Sequence, residues 1–197
     1  MYKNIVKRVF DILISICLLP ALCLLCLIIG PIVIFTDGRP IFYSADRIGK
    51  NGKIYKMYKF RSMKKNAPDI RMEDGSTYNA EDDPRVIKIG RILRKTSIDE
   101  IPQILNVLIG DMSIVGPRPF VPTDGIIDIS QDYYDRLNVR PGVTGYTQAY
   151  YRNSISQEEK IKLDAEYARN ITFIKDIKII IKTIETVVKR KNIYKEK

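Results

Sequence analysis

The chain has 197 residues, of which 45% are hydrophobic and 28% charged. That composition excludes global disorder and suits one domain, or one domain with an anchor. It contains no histidine, which excludes His-based triads, His proton shuttles and imidazole metal sites, and its 33 basic against 23 acidic residues give a formal charge of +10, which points to nucleic acid, an acidic membrane surface or phosphorylated substrates as partner.

Residues 12–36 carry no charge, a run of 25 made mostly of Leu, Ile, Val and Cys. About 20 such residues cross a hydrocarbon core, so the run reads as membrane-inserted. It is too long for a usual signal-peptide core and lacks a small-x-small cleavage site. Cys17, Cys23 and Cys26 all lie inside it and read as small apolar groups without redox or metal roles. Pro20 and Gly30-Pro31 interrupt it. Lys3, Lys7 and Arg8 precede it, and Arg39, Arg47, Lys50, Lys53 and Lys56 follow. The positive-inside tendency would keep both flanks in the cytoplasm, which a helix that enters, bends and returns satisfies. A spanning helix with a proline kink remains the alternative.

Residues 40–63 read as a β-hairpin. Ile41-Phe42-Tyr43 and the run from Ile54 to Phe60 supply the strands, and Asn51-Gly52 supplies a two-residue turn. Residues 66–83 are polar and acidic with Pro68, Gly75 and Pro84 as breakers, and read as a mobile loop. A short basic helix is expected over residues 86–95. Apolar spacing at Ile101, Ile104, Leu105 and Leu108 predicts a helix within residues 97–109, ended by Gly110. Residues 116–122 hold three prolines and cannot be helix, and residues 141–145 read as a second turn-rich loop. Ser156-Gln157-Glu158-Glu159 has the form of a capping box, opening a helix to about Ala168. Residues 173–191 form a basic amphipathic helix that either lies in the headgroup plane or packs on a core.

No G-x-G-x-x-G, Walker A or G-x-S-x-G pattern occurs. The chemistry is left to Asp99-Glu100, lying amid basic residues and ahead of the proline-flanked Arg118. Two acids at a helix start can simply complement the helix dipole. Pro102, however, fits a helix beginning near Asp99, which sets both carboxylates beside unpaired backbone N–H groups that favour the ionised form and attract phosphate. Arg91, Arg94 and Lys95 act in the same sense. A carboxylate held as an anion can attack phosphorus, and an adjacent glutamate can hold Mg²⁺. Pro117 and Pro119 restrict the backbone around Arg118, so that its guanidinium could be aimed at a diphosphate, unless it is simply a surface arginine in a rigid loop. Lys59 and Arg61 alone resemble a solvated basic face, and Asp164 a helix-surface ion pair.

Together these segments resemble the bacterial sugar transferases, in particular the small monotopic phosphoglycosyl transferases. The resemblance is carried by Lys7-Arg8-Val9-Phe10-Asp11, by Tyr58-Lys59-Phe60-Arg61-Ser62-Met63, and by Asp83-Pro84-Arg85 with Gly90-Arg91. It continues through the stretch from Leu93 to Gln103, Asn106-Val107-Leu108, Gly110-Asp111-Met112-Ser113 and Val115-Gly116-Pro117-Arg118-Pro119. Val139 to Gly145, Arg152-Asn153 and Leu163-Asp164 complete it, so almost the whole chain is covered.

The resemblance implies an α+β fold with an N-terminal re-entrant helix, a small hairpin and interfacial amphipathic helices. Residues 1–38 would be the membrane anchor and residues 39–197 a catalytic domain on the cytoplasmic face of the bacterial inner membrane. It implies transfer of a sugar-1-phosphate from a UDP-sugar to polyprenol phosphate with release of UMP, by a ping-pong route. Asp99 would be the nucleophile and Glu100 the Mg²⁺ ligand. Lys59, Arg94, Pro117, Arg118, Pro119 and Asp164 would form the substrate site. The expected partners are therefore UDP-sugar, polyprenol phosphate and membrane lipid, and not nucleic acid. A basic membrane adaptor would explain the charge but not the Asp-Glu pair. Two departures stand out: the break at Leu19-Pro20 comes about one helical turn earlier than the family's, and Thr147 precedes Gln148 where an aromatic is usual. The block from Arg152 to Ser156 is similar to members acting on N-acetylated UDP-sugars.

Overall fold

The computed structural model describes residues 2–70, 78, 80, 82–122, 130–152 and 154–189. Much of the loop expected over residues 66–83, together with Asn153 and the end of the expected C-terminal helix, lies outside the described residues. After a π-helical turn at Tyr2–Val6, helix α1 runs over Lys7–Asp37 and contains both Pro20 and Pro31. It is long and apolar enough to cross a membrane, and at 1.5 Å per residue a straight helix of its 31 residues would be about 46 Å long.

Both ends of α1 are tied to the same body. At its start, Lys7 Nζ lies 2.6 Å from Asp176, Arg8 donates to the carbonyls of Val107 and Leu108 at 2.5 and 2.9 Å, and Asp11 accepts from the Ser113 hydroxyl and the Ile114 N–H. At its end, Asp37 meets Arg61 at 2.5 Å, and Gly38 caps the helix with φ 72°. Between these points Leu22, Ile29 and Val33 are buried against Phe60, Ile87, Leu93 and Ile104. Each such side chain contributes roughly 1.5–3 kcal/mol of burial. The outer face, including Leu24, Leu27 and Phe35, stays exposed.

Strands β1 (Phe42–Ile48) and β2 (Ile54–Phe60) form the expected antiparallel hairpin, with Phe42 opposite Phe60 and Ile48 opposite Ile54. The connection is longer than a two-residue turn. A 3₁₀ turn at Lys50–Gly52 links the strands, with Asn51 and Gly52 both at positive φ, the conformation that asparagine and glycine best tolerate. Helix α2 (Lys88–Thr96) approaches the chain just after β2 so closely that a Cβ on Gly90 would lie 2.0 Å from the Ser62 carbonyl oxygen. The helix expected within residues 97–109 is divided into a 3₁₀ turn at Ile98–Glu100 and α3 at Gln103–Ile109, with Pro102 at the junction and Gly110 closing it at φ 97°.

Residues 141–145 are not simply a loop. Strand β3 (Ser113–Val115) pairs in parallel with β4 (Gly142–Thr144). Gly116, Gly142 and Gly145 allow the backbones to cross there, since a Cβ on any of them would fall 2.1 to 2.4 Å from backbone atoms. Two helices lack a counterpart among the sequence expectations, α4 (Gln131–Leu137) and α5 (Tyr146–Tyr150). Helix α6 (Gln157–Arg169) opens on the capping box read from Ser156 and Glu159. In α7 (Phe173–Val188) only Asp176 and Ile179 are buried, while Phe173, Ile174, Ile177, Ile181, Ile184 and Val188 are exposed. Of the two placements open from sequence, α7 therefore keeps most of its apolar face outward.

Candidate active site

The 3₁₀ turn at Ile98–Glu100 follows Ser97, whose backbone is left-handed at φ 58°. That reversal ends α2 and turns the chain so that Ile98 and Ile101 pack on the core shared with α1, while Asp99 and Glu100 meet a group of basic side chains. Lys59, on β2, puts Nζ 2.6 Å from Glu100 Oε1. Arg118 approaches the same oxygen at 3.7 Å, and its side chain is 56% exposed. Asn106 holds the strand in place for this contact. Its side chain, fully buried in α3, accepts from the Tyr58 N–H and donates to the Lys56 carbonyl at 3.0 and 2.7 Å.

The two acids differ in charge state. Asp99 is only 7% exposed, and among the described residues no group donates a hydrogen bond to it. Burial pushes its carboxyl up from 3.8 to about 6, against the pull of Lys59, and the Glu100 charge adds to the rise; Arg94 and Arg118 oppose it. Glu100, its side chain 22% exposed, moves the other way. Burial favours its neutral form, but the charges of Lys59 and Arg118 and the Lys59 hydrogen bond together win, holding it at about 2. The helix entrance was expected to favour the ionised form of Asp99; burial opposes it, yet at about 6 the carboxyl remains mostly ionised at pH 7. Two carboxyl groups side by side with separated affinities for protons form a pair in which one is held charged at neutral pH and the other titrates closer to neutrality.

Arg94, at the end of α2, acts on Asp99 electrostatically, and its Nη1 is buried without a hydrogen-bond partner among the described residues. Pro117 is buried, Pro119 half-buried, and the loop they rigidify leaves Arg118 at the surface. The structure thus brings Lys59, Arg94, Asp99, Glu100 and Arg118 to one place. Asp164 lies elsewhere. It is buried in α6, with Arg136 at 3.0 Å and the Thr147 hydroxyl at 2.9 Å. It is not the helix-surface ion pair that its spacing alone suggested.

The family model for bacterial sugar transferases matches residues 2–190. The chain belongs to the bacterial sugar transferase family. It is 41% identical to the exopolysaccharide production protein ExoY of Sinorhizobium fredii, covering 93% of this chain and 86% of that protein. It is 37% identical to the undecaprenyl-phosphate galactose phosphotransferase of Salmonella typhimurium, covering 98% of this chain and 42% of that one. With the undecaprenyl-phosphate glucose phosphotransferase of Komagataeibacter xylinus it shares 34% identity over 95% of this chain and 37% of the relative. The chain therefore spans less than half the length of the two phosphotransferases.

In this sugar transferase one further cation belongs to the site. Arg152 sits with positive φ after α5 and interacts electrostatically with both Glu100 and Arg118, while burial lowers its own proton affinity. Arg152-Asn153 carries part of the family resemblance, but its spacing gives no hint of a place beside Glu100. No group of three or more metal-ligating side chains occurs among the described residues. A single carboxylate such as Glu100 is compatible with Mg²⁺, which takes one or two protein oxygens together with substrate phosphates and water.

Proposed function

We propose that this transferase moves a sugar-1-phosphate from a UDP-sugar to polyprenol phosphate in two steps through Asp99. The observation that carries the reading is the contrast within the pair. Asp99 is buried with no hydrogen-bond donor among the described residues, and Glu100 beside it is held charged by Lys59 and Arg118. An oxygen of the Asp99 carboxylate attacks the β-phosphorus, and the bond to the UMP oxygen breaks, with UMP leaving on that electron pair. A phosphate oxygen of the lipid then attacks the same phosphorus and releases the Asp99 carboxylate, giving the polyprenyl diphosphate sugar. Splitting the transfer means that a water-soluble donor and a lipid acceptor need not be held together.

Glu100 would hold Mg²⁺ against the diphosphate, where the ion would supply charge neutralisation of the transferring group. Lys59, Arg94, Arg118 and Arg152 orient the anionic substrate and spread its charge. The relatives named as undecaprenyl-phosphate galactose and glucose phosphotransferases support polyprenol phosphate as acceptor. The docking of both ends of α1 onto one body supports a helix that dips into the cytoplasmic leaflet and returns. The outward apolar row of α7, flanked by Lys175, Lys178 and Lys182, supports its lying in the headgroup plane.

Incubating the purified protein with Mg²⁺ and UDP-sugars radiolabelled in the β-phosphate, without acceptor, should leave label on Asp99 and release UMP. UMP formed only when lipid is added, with no labelled protein at any time, would show direct displacement instead.

A further inference from the structure

Asp164 has both oxygens engaged inside the protein, Oδ1 by the Thr147 hydroxyl and Oδ2 by Arg136 Nη2. The same Nη2 donates to the backbone carbonyl of Arg118 at 2.7 Å. The Arg136 guanidinium also lies over the Phe120 ring, 3.8 Å from its centroid. Other carbonyls of this loop are held by backbone donors: Gly142 N–H to Pro117 at 3.0 Å and Ile48 N–H to Phe120 at 2.9 Å. The Arg118 carbonyl receives a side-chain donor, and that donor, Arg136, is itself buried.

We propose that Asp164 and Arg136 are positioning residues that set Arg118 for phosphate binding. The inference rests on the proposed role of Arg118 and assigns Asp164 a task other than substrate contact. The Nη2 group has two hydrogens. One goes to the Asp164 carboxylate and one to the Arg118 carbonyl, so fixing the first fixes the second. The Phe120 ring holds the guanidinium plane at right depth for both. An isolated interior ion pair needs none of this convergence. Arg118 is thus exposed at its guanidinium and anchored at its backbone, which suits a group that must meet a diphosphate without first ordering its own chain. Lysine at position 136 would keep the charge but lose the planar, forked geometry.

The test is a double-mutant cycle on UMP binding with Mg²⁺, measured by titration calorimetry on detergent-solubilised protein, with folding checked by circular dichroism. Arg118→Ala and Asp164→Asn should each weaken UMP binding by about 10- to 100-fold. The double variant should bind no more weakly than Arg118→Ala alone. Wild-type affinity in a folded Asp164→Asn protein would overturn the proposal. So would losses that add in the double variant, or an Arg118→Ala protein that binds UMP as tightly as the unaltered one. Should Asp164→Asn fail to fold, Thr147→Val removes a single hydroxyl contact and gives the same cycle with a smaller loss. UMP binding does not require a covalent intermediate, so failed labelling of Asp99 with an intact cycle sinks the two-step reaction and leaves the relay standing. Successful labelling with an additive cycle does the reverse.

Discussion

Lys59 and Glu100 are separated by 41 positions in the chain and by 2.6 Å in the fold. This contact sets the charge on the acidic pair, because Lys59 pulls the proton affinity of both carboxyls down while burial raises it. Lys59→Met would leave Glu100 half-enclosed without its main partner. Its carboxyl, lowered from 4.5 in the native protein, would then rise. The native pair contributes stability above about pH 4.5 that is lost as pH falls towards 2. The variant should lose roughly 2–3 kcal/mol at pH 7, as a partly buried charge loses its partner. Denaturant unfolding at pH 7 and pH 4 reads this directly, since the gap between the two proteins should narrow at the lower pH.

Asp99 gives the opposite sign. Its carboxyl is raised from 3.8 to about 6, so the folded protein takes up its proton before the unfolded chain does. The ionised side chain costs stability at neutral pH, and that cost diminishes as pH falls from about 6 towards 3.8. Asp99→Asn should therefore keep or raise the thermal midpoint at pH 7, by up to about 3 kcal/mol in stability. It should abolish UMP release. In the unaltered protein the rate of covalent labelling should fall about tenfold per unit of pH below about 6, because only the carboxylate attacks.

Gly90→Ala should displace α2. The added methyl carbon would meet the Ser62 carbonyl carbon and oxygen, which belong to the backbone and cannot rotate away. A cost of about 2–3 kcal/mol is expected. Arg94 rides on the same helix, so donor affinity should fall as well, measured as a rise in KM for UDP-sugar.

The start of α1 is held by a buried acid. Asp176 accepts from Lys7, Tyr2 and Tyr167 at 2.6, 2.7 and 2.6 Å. Lys7→Met removes the charge partner and leaves two phenols around a buried carboxylate. Roughly 3 kcal/mol should be lost, visible as a lower denaturant midpoint in detergent. Asp176→Asn in the same background should recover part of it by removing the stranded charge.

Helix α7 supplies a surface rather than a site. Ile181 and Ile184 are exposed on its outer row. Replacing both with Glu should reduce co-sedimentation with vesicles containing anionic lipid, through lost apolar insertion and added repulsion. Transfer to a short-chain acceptor in detergent should persist.

Local signals carried much of the fold. The apolar run of α1, the hairpin strands, the capping box at Ser156 and the stop at Gly110 each follow from nearby residues, and each has the element expected of it. What escaped was non-local. Residues 141–145 look like a turn because Gly142 and Gly145 are there, yet those glycines serve a strand crossing that only Gly116 explains. Helices α4 and α5 are too short for periodicity to reveal. At the site, Lys59, Arg94, Asp99, Glu100 and Arg118, from separate stretches of the chain, lie together in the fold. Asp164 could not be read from its spacing, because its partners Arg136 and Thr147 come from two other helices. The rise in Asp99 was hidden for the same reason: nothing in its neighbours along the chain indicates how deeply Ile98 and Ile101 draw the turn inward.

The two moorings of α1 have a mechanical consequence. With Lys7 and Asp37 each bolted to the body that carries Asp99, the reach of the helix beyond that body is a constant of the protein. A bilayer of different thickness cannot tilt it as it would a free helix. In the proposed re-entrant placement the lipid would adapt around a rigid gauge, and the height of the Asp99 carboxylate above the acyl chains should stay the same from one membrane to the next.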